Sequence, residues 1–376
     1  MPWREATVKE QRAEFVRLAR AESANVSELC RRFGISRKTG YKLIKRWQQE
    51  GDEGLDDRSC RPKTSPARTA APLEQQVLEV RTEHPAWGAR KIAHVLQRDR
   101  GVELATSTVN SILRRHGRIS QAASEAATGW QRFEHDKPNE LWQMDFKGHF
   151  ALDSGRCHPL TVLDDHSRYN LVLQASHSES FEFVQNRLQS CFERYGLPRR
   201  INTDNGAPWR MPGQPIVTRL GLWLIHLGIR LSHSRPAHPQ TNGKDERFHR
   251  SLKAEALGTR RFADMHDAQR CLDAWRHVYN HQRPHQALQM QTPSERYAAS
   301  PRAMPKTLPP IEYGPDDIVR KVQAGGYIHF QGREIRLYES LRGLPIALRP
   351  TSDRDGVYDL YFCHQRLYEI DLSDLS

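Results

Sequence analysis

Three acidic residues in the middle of the chain occupy positions that suit metal-assisted chemistry. Asp145 lies within a strand-like segment, WQMDFKG, where a buried aspartate needs a partner or a metal ion. Asp204 follows a second strand-like segment, at the end where open α/β sheets collect ligands. Glu246 opens a helix after a glycine-marked turn. Neighbouring carboxylates repel, so the three acids together predict a bound divalent cation.

Each acid also has an ordinary structural interpretation. Asp145 alone fits a bulge or an edge strand, Asp204 fits a common turn, and Glu246 in a first helical turn favours the helix dipole. The adjacent Asp245 has no assigned role, and it either tunes metal affinity or faces water. Neighbouring helical residues point about 100° apart. We therefore expect Asp245→Ala to leave activity mostly intact and Glu246→Ala to abolish it.

The segments around these acids predict a mixed α/β unit over 138–298. Three strand-like segments are followed by alternating helices and strands, which indicates a mixed sheet with helices on both faces. Asp164 and Asp165 are predicted to be turn acids rather than ligands, and NHQRPHQAL is predicted to close the core. The expected strands cover 141–150, 158–165, 169–176, 198–206 and 229–233, and the expected helices cover 178–196, 215–227, 242–256 and 264–281.

The first part of the chain predicts a helix-turn-helix domain over 1–52. Ser36 is a suitable N-cap and Gly51 a suitable stop for its third helix, which follows a short helix and a glycine turn. A generic helical bundle is the alternative. The side chains on the outer face of this third helix are predicted to contact DNA: Arg37, Lys38, Tyr41, Lys42 and Lys45.

Composition shifts divide the remainder of the chain. A second helix-turn-helix or winged-helix-like module is predicted over 73–120, again with a helical bundle as the alternative. Turn signals about every eight to twelve residues predict a small antiparallel β-barrel over 315–376. The segments between these domains are predicted linkers, at 53–72, 121–137 and 299–314, the last of them Pro-rich.

The net charge of +12 favours a polyanionic partner, and the basic excess lies before residue 311. Residues 311–376 hold 8 lysines and arginines against 11 acids. Six scattered cysteines without a CxxC pair argue against a zinc module and a disulfide framework. No apolar run is long enough to span a bilayer. We expect a cytoplasmic protein, associated with the nucleoid when bound to DNA.

Five motifs resemble the integrase core of bacterial insertion-sequence transposases, a group related to retroviral integrases: WQMDFKG, TVLDDHSRY, NTDNGAPW, SRPAHPQTNGKDERFHRSLKAE and YNHQRPHQALQMQTP. The resemblance implies a ribonuclease-H-like fold with a DDE triad of Asp145, Asp204 and Glu246. It also implies Mg²⁺, with Mn²⁺ as a substitute and two ions in each active site. The C-terminal strands resemble the small β-barrel of phage Mu-type transposases.

The resemblance implies a transposase that binds the terminal inverted repeats of an element, cleaves its 3′ ends and joins them to target DNA. A homo-oligomer, at least a dimer on DNA, follows from the need to hold two ends. An inactive DNA-binding derivative and a nuclease without strand transfer are the alternatives. A covalent recombinase is disfavoured, because Tyr169 beside Arg168 is an isolated pair. Further DNA contacts are predicted at His238, Gln240, Asn242, Lys244, Arg247, His249, Arg250 and Lys253.

Overall fold

The chain divides into two compact units, Met1–Arg68 and Thr69–Ser376. Within the described residues, no helix is long and apolar enough to cross a membrane. The computed structural model describes residues 7–59, 68–119, 134–204, 209, 218–233, 243–258 and 260–374.

The first unit contains a three-helix module that matches the predicted helix-turn-helix arrangement. The Ser36 side chain accepts a hydrogen bond from the Thr39 backbone at 3.2 Å, and Gly51 ends the helix with φ at +63°, so the predicted cap and stop are confirmed. A short 3₁₀ turn follows at Gly51–Leu55. The helices are α1 (Val8–Ala19), α2 (Val26–Arg32) and α3 (Arg37–Glu50).

Close contact between the helices of this module depends on Gly40 of α3. A Cβ at this position would lie 2.5 Å from Cys30 Sγ and 2.9 Å from the Phe15 ring, so only glycine fits without displacing them. Leu55 is fully buried in the same core. The module therefore extends past its predicted end at residue 52, because the 3₁₀ turn contributes a core side chain.

The second unit begins with another three-helix module, which packs against the rest of the unit. Val278 contacts its hydrophobic core, and the Arg98 guanidinium donates to the Gln282 carbonyl at 3.3 Å. No strand occurs among residues 68–119 as described, so plain helices are found rather than a winged module. The helices are α4 (Ala71–Glu83), α5 (Ala89–Arg100) and α6 (Thr106–Arg115).

A five-stranded mixed sheet forms the centre of the second unit. The strands of this region are β1 (Trp142–Phe146), β2 (Phe150–Leu152), β3 (Gly155–Cys157), β4 (Leu160–Asp164), β5 (Asn170–Gln174), β6 (Arg200–Thr203) and β7 (Arg230–His233). Their order in the sheet is β5-β4-β1-β6-β7. The pairs β1–β4 and β4–β5 are antiparallel, whereas β1–β6 and β6–β7 are parallel. A two-stranded hairpin, β2–β3, was not predicted, because strands of three residues carry too little periodicity.

Helices cover both faces of this sheet, which confirms the predicted ribonuclease-H-like core. The helices at Phe181–Tyr195 and Arg219–His226 share one hydrophobic core with Trp142, Met144 and Phe146 of β1. The helices at Gly243–Leu252 and Met265–His281 pack with Leu163 and Leu173 on the opposite face. These helices are α7 (Phe181–Tyr195), α8 (Arg219–His226), α9 (Gly243–Leu252), which continues as a π-helical turn at Lys253–Leu257, and α10 (Met265–His281). A short helix, α11 (Pro293–Arg296), follows.

The C-terminal strands are antiparallel, as predicted. These strands are β8 (Ile318–Lys321), β9 (Tyr327–Phe330), β10 (Arg333–Arg336), β11 (Pro345–Pro350), β12 (Val357–Phe362) and β13 (Gln365–Asp371). They form a four-stranded sheet in the order β13-β12-β11-β8 and a β9–β10 hairpin, and both contribute to one hydrophobic core with Leu222 and Ile225 of α8. Among the strand pairs of the described chain, none joins the two sheets into a closed barrel.

Candidate active site

Asp145 lies on the central strand of the sheet and belongs to the face covered by α9. Strand side chains alternate between faces, so Asp145 and Gln143 point away from the core that holds Met144. Thr161 of β4 is the residue paired with Asp145 across the ladder. The Thr161 hydroxyl donates to the Asp145 backbone carbonyl at 2.9 Å.

The charges of the other two predicted acids act on the carboxylate of Asp145. Burial raises the pKa of Asp145 to about 7, and the charge of Asp204 adds to that shift. Glu179 and Glu246 raise the pKa of Asp145 further, with smaller effects. Acids at the end of β6, just before α7 and on α9 therefore act on one carboxylate, and a divalent cation would relieve this repulsion.

The other two predicted acids come from elements adjacent to β1. Asp204 directly follows β6, which pairs parallel with β1, and it is half-buried. The Asp204 backbone carbonyl lies 3.1 Å from His233 Nδ1 of the neighbouring strand. Glu246 is an exposed residue in the first turn of α9.

The inner face of α9 is set by apolar packing. Phe248 and Leu252 are buried against Trp275 and Tyr279 of α10, which turns that stripe of the helix toward the sheet. Asp245 lies on the same stripe and is only 1% exposed. The water-facing alternative for Asp245 is therefore wrong.

Asp245 belongs to a small network of polar contacts beside Asp145. Its Oδ1 lies 3.3 Å from the Thr161 hydroxyl and 3.6 Å from His249 Nε2, and its backbone NH donates to Gln143 Oε1 at 3.2 Å. His249 Nε2 is itself 2.9 Å from the Thr161 hydroxyl. Burial raises the pKa of Asp245 well above its ordinary value, with the Asp145 charge as the second cause.

One potential metal-binding group emerges among the described residues: Asp145, Asp245 and His249 each offer a ligand atom, and these atoms lie within 4.8 Å of one another. Burial, helped by the charge of Lys147, lowers the pKa of His249 to about 3, so its ring is neutral. Asp245 and His249 were not predicted to act as a pair. Their spacing of four residues on a helix was the available signal, since such residues share a face.

Lys244 is engaged inside the protein. Its ammonium forms an ion pair with Asp165 and also donates to the Asp165 backbone carbonyl at 3.1 Å. Asp165 accepts from Gln143 Nε2 at 3.0 Å, and Asp164 accepts from the backbone NH groups of Ser167 and Asn139. Both acids therefore organise a buried turn, as predicted, and the ammonium of Lys244 is already occupied.

The predicted DNA-contact residues differ in their surroundings. All five on α3 are exposed, and Tyr41 is 58% exposed. His249 faces Thr161 and Asp245, so little of its ring is left for DNA. The exposed positions of α9 and its π-helical continuation include Arg247, Arg250 and Lys253. The predicted contacts at His238, Gln240 and Asn242 lie outside the described residues.

The NHQRPHQAL segment has the structural role expected of it. The Asn280 side chain bonds both the backbone NH and the carbonyl of Asn170, at 2.9 and 3.0 Å. Arg283 forms a buried ion pair with Glu255 at 2.9 Å. These contacts hold the end of α10 against strand β5, and the segment after α10 against the continuation of α9.

Comparison with known protein families identifies the parts of the chain separately. The matching models are the integrase core domain over residues 135–239 and 227–293, a helix-turn-helix domain over 11–63, a homeodomain-like domain over 39–113, and the C-terminal domain of IS481 family transposases over 317–376.

The relatives come from insertion elements and retroviruses. An uncharacterized 31.7 kDa protein of insertion element IS407 from Burkholderia multivorans is 31% identical over 44% of this chain and 57% of its own length. A 39.2 kDa protein of IS476 from Xanthomonas euvesicatoria is 29% identical, over 44% and 46%. The alignments thus span about half of each of these relatives. The Gag-Pol polyprotein of feline leukemia virus is 27% identical over 44% of this chain and 10% of its own.

Two solved structures are similar at low sequence identity. The simian T-cell lymphotropic virus intasome, in complex with PP2A regulatory subunit B56 gamma, is matched with a TM-score of 0.37 and 16% identity, over 78% of this chain and 99% of that one. The HTLV-2 integrase catalytic core domain, in complex with magnesium, is matched with a TM-score of 0.33 and 14% identity, over 43% and 99%. The family matches confirm the predicted resemblance: residues 135–239 match the integrase core domain, and residues 317–376 match the C-terminal domain of IS481 family transposases.

Proposed function

We propose that this protein is a DNA transposase that binds the terminal inverted repeats of an insertion element, cleaves its 3′ ends and joins them to target DNA. The proposal rests on one observation above all. The charges of Asp204, at the end of the parallel neighbouring strand, and of Glu246 on α9 both act on Asp145 of the central strand, within a region that matches the integrase core. We propose these three acids as the catalytic triad.

The first unit supports a DNA-binding role. Its third helix presents three lysines, an arginine and a tyrosine to solvent, on a module matched by the helix-turn-helix model. Such side chains position a protein on phosphates, and a few of them reach base edges when the helix enters the major groove. On the core, the exposed Arg247 and Arg250 extend from Glu246 along α9 and favour a DNA strand lying across the acids.

The acids fit a divalent cation. Asp145 carries a raised pKa because it is buried near other carboxylates, and Asp245 Oδ2 is a buried oxygen that lacks a hydrogen-bond partner. Carboxylate oxygens are the preferred ligands of Mg²⁺, with Mn²⁺ as a substitute. We propose two ions in each site; when bound, they would activate a water or a 3′-hydroxyl and stabilise the leaving oxygen of an in-line displacement.

The residues of the chain have distinct tasks in this scheme. Asp145 has to lose its proton before it acts as a ligand, and its place on the central strand keeps it fixed relative to Asp204. Glu246 closes the site from the exposed side of α9, where the scissile phosphate would approach. The ion pair between Lys244 and Asp165 holds the start of that helix against the sheet.

Two element ends have to be processed together, so we propose a homo-oligomer, at least a dimer on DNA. Its place of action would be the bacterial cytoplasm, on nucleoid DNA.

Strand transfer tests the proposal directly. Labelled duplexes that carry the inverted repeats flanking the gene would be incubated with the full-length protein, Mg²⁺ or Mn²⁺, and a target plasmid. Joined products are expected with the wild type, and none with Asp204→Asn or Glu246→Gln. Glu193→Gln removes an exposed carboxylate on α7 and serves as the matched control, with wild-type yields.

Each other outcome points elsewhere. Cleavage without joining indicates a nuclease of the same fold. Repeat-specific binding without metal-dependent cleavage indicates an inactive DNA-binding derivative. Full activity of Asp204→Asn or Glu246→Gln refutes the triad.

A further inference from the structure

The inner face of α9 carries two potential metal ligands that the proposed triad does not use. Asp245 and His249 are four residues apart on the helix and face Asp145, and the ligand atoms of the three lie within 4.8 Å of one another. Ligands on opposite sides of one ion, each at about 2.0–2.4 Å from it, are separated by about 4–5 Å. The three side chains are therefore close enough to share a single ion.

The surrounding packing holds these groups in place. Phe248 and Leu252 anchor the same helix face in a buried aromatic and aliphatic cluster. The Asp245 backbone NH bonds Gln143, which precedes Asp145 by two residues on β1. The helix is thus held by a hydrogen bond to β1 and by packing against α10, so little reorganisation is needed to bind an ion.

One oxygen of Asp245 has no partner. Oδ2 is inaccessible to solvent and makes no hydrogen bond. The Thr161 hydroxyl has one proton for three acceptors nearby, namely the Asp145 carbonyl, Asp245 Oδ1 and His249 Nε2. A buried carboxylate in this position is costly unless a charge compensates it, and a cation between Asp145 and Asp245 supplies that charge.

We propose that Asp145, Asp245 and His249 form a cation subsite that takes a divalent transition-metal ion and prefers Mn²⁺ to Mg²⁺. The preference follows from the imidazole, because nitrogen ligands suit transition metals whereas Mg²⁺ is held by oxygen. The inference rests on the proposed function in one respect, that Asp145 also belongs to the catalytic centre. It adds a nitrogen ligand to a centre of carboxylates.

The experiment follows Mn²⁺ by electron spin resonance. Metal-free, full-length protein would be titrated with Mn²⁺, first alone and then against Mg²⁺, and the bound ion examined by electron spin echo for coupling to ¹⁴N. The wild type should show ¹⁴N coupling, and Mg²⁺ should displace the ion only at a large excess. His249→Gln should lose the coupling and weaken Mn²⁺ binding about tenfold or more. Even the loss of a residue that only hydrogen-bonds a metal ligand commonly lowers metal affinity by that much.

His158→Gln is the matched control. His158 contacts Glu179 at 2.9 Å, and Glu179 contributes to the electrostatics of Asp145, so this histidine lies near the site but outside the ligand set. The control should keep both the coupling and the affinity. Coupling that is absent from the wild type, that persists in His249→Gln, or that also disappears in His158→Gln overturns the assignment.

Asp245→Val keeps the inference testable if His249→Gln does not fold. Valine has similar bulk without a ligand atom, so Mn²⁺ affinity should fall about tenfold or more while circular dichroism confirms the fold. Unchanged Mn²⁺ affinity of this variant overturns the inference.

Strand transfer in Mg²⁺ separates the two proposals. Joining without ¹⁴N coupling sinks the subsite alone, and coupling without joining sinks the proposed function alone.

Discussion

The outer face of α3 and the inner face of α9 use charge in opposite ways. On α3, the basic side chains from Arg37 to Lys45 are exposed, so their charges remain hydrated. On α9, Asp245 is almost completely buried, and its carboxylate faces the half-buried Asp145. Exposed charges cost little in folding and act additively on a polyanion, whereas buried charges lower stability unless a partner compensates them. In the proposed function, the first face would contribute to DNA affinity and the second to metal-dependent chemistry.

Asp145→Asn should give the largest separation between activity and stability. We expect strand transfer to fall about 10³-fold or more, because several kcal/mol of charge stabilisation depend on this ligand. The metal-free variant should nevertheless unfold at a higher temperature than the wild type at pH 8. Both quantities can be measured on the same preparation, by strand transfer in Mg²⁺ and by thermal unfolding in a chelator.

The sign of the stability change follows from the raised pKa of Asp145. The folded protein favours the neutral acid, so the stability contributed there is complete below the ordinary pKa of 3.8 and is lost as the pH rises through about 7. The gain from asparagine should be small at pH 4 and full at pH 8. A variant less stable than the wild type at pH 8 would contradict the description of Asp145 as an uncompensated acid in the metal-free protein.

The basic face of α3 should respond in a graded manner. Lys42→Ala combined with Lys45→Ala removes two exposed cations, so affinity for the element end should fall about tenfold at moderate salt. The slope of log affinity against log salt should decrease by about 2, close to one for each lost phosphate contact. Lys321→Ala removes an exposed lysine from the acidic C-terminal part and should change neither quantity. An unchanged slope in the double variant would remove α3 from the DNA interface.

The contrast between these faces also explains what the sequence allows one to predict. The α3 face is local: Ser36, Gly51 and the spacing of the basic residues are all contained in one helix, and the structure confirms its cap, stop and exposure. The order of the longer strands and helices in the core was equally accessible, because each of them carries its own periodicity, which the three-residue strands of the β2–β3 hairpin do not. Asp145 stood out because aspartate is unusual within a strand, and Asp204 because it follows a strand at the end where ligands collect.

The inner face of α9 depends on contacts between distant parts of the chain. Thr161 and His249 are 88 residues apart, and Gln143 and Asp245 are 102 apart, yet each pair is in contact. No local pattern reports such pairs. The burial of Asp245 follows only once Phe248 and Leu252 are known to face α10 rather than another surface.

Asp165 and Asp245 offer a sharper comparison, between a buried acid that has a cationic partner and one that contacts only neutral groups. Asp165→Asn should destabilise the metal-free protein by about 3 kcal/mol, because it leaves the Lys244 ammonium buried without its partner. Asp245→Asn should stabilise it by about 1–3 kcal/mol at pH 8, since the uncompensated carboxylate is removed. Denaturant unfolding in a chelator measures both. Destabilisation of similar size in the two variants would show that Asp245 has a partner in solution.

Lys91 of α5 extends the comparison to a half-buried cation and should give the smallest effect. Burial lowers its pKa to about 7, and the charge of Arg283 adds to that shift. The unfolded chain holds this proton up to the ordinary pKa of 10.5, so stability contributed at Lys91 rises as the pH increases from 7 to 10.5. Lys91→Met should therefore raise the melting temperature by a few degrees at pH 6, corresponding to about 1 kcal/mol, and by less at pH 9. Lys306→Met, at an exposed position of the predicted Pro-rich linker at 299–314, should change the melting temperature at neither pH. An equal gain at both pH values would mean that methionine acts through packing alone; a gain confined to low pH would show that α5, unlike α3, carries a charge that the fold has to tolerate.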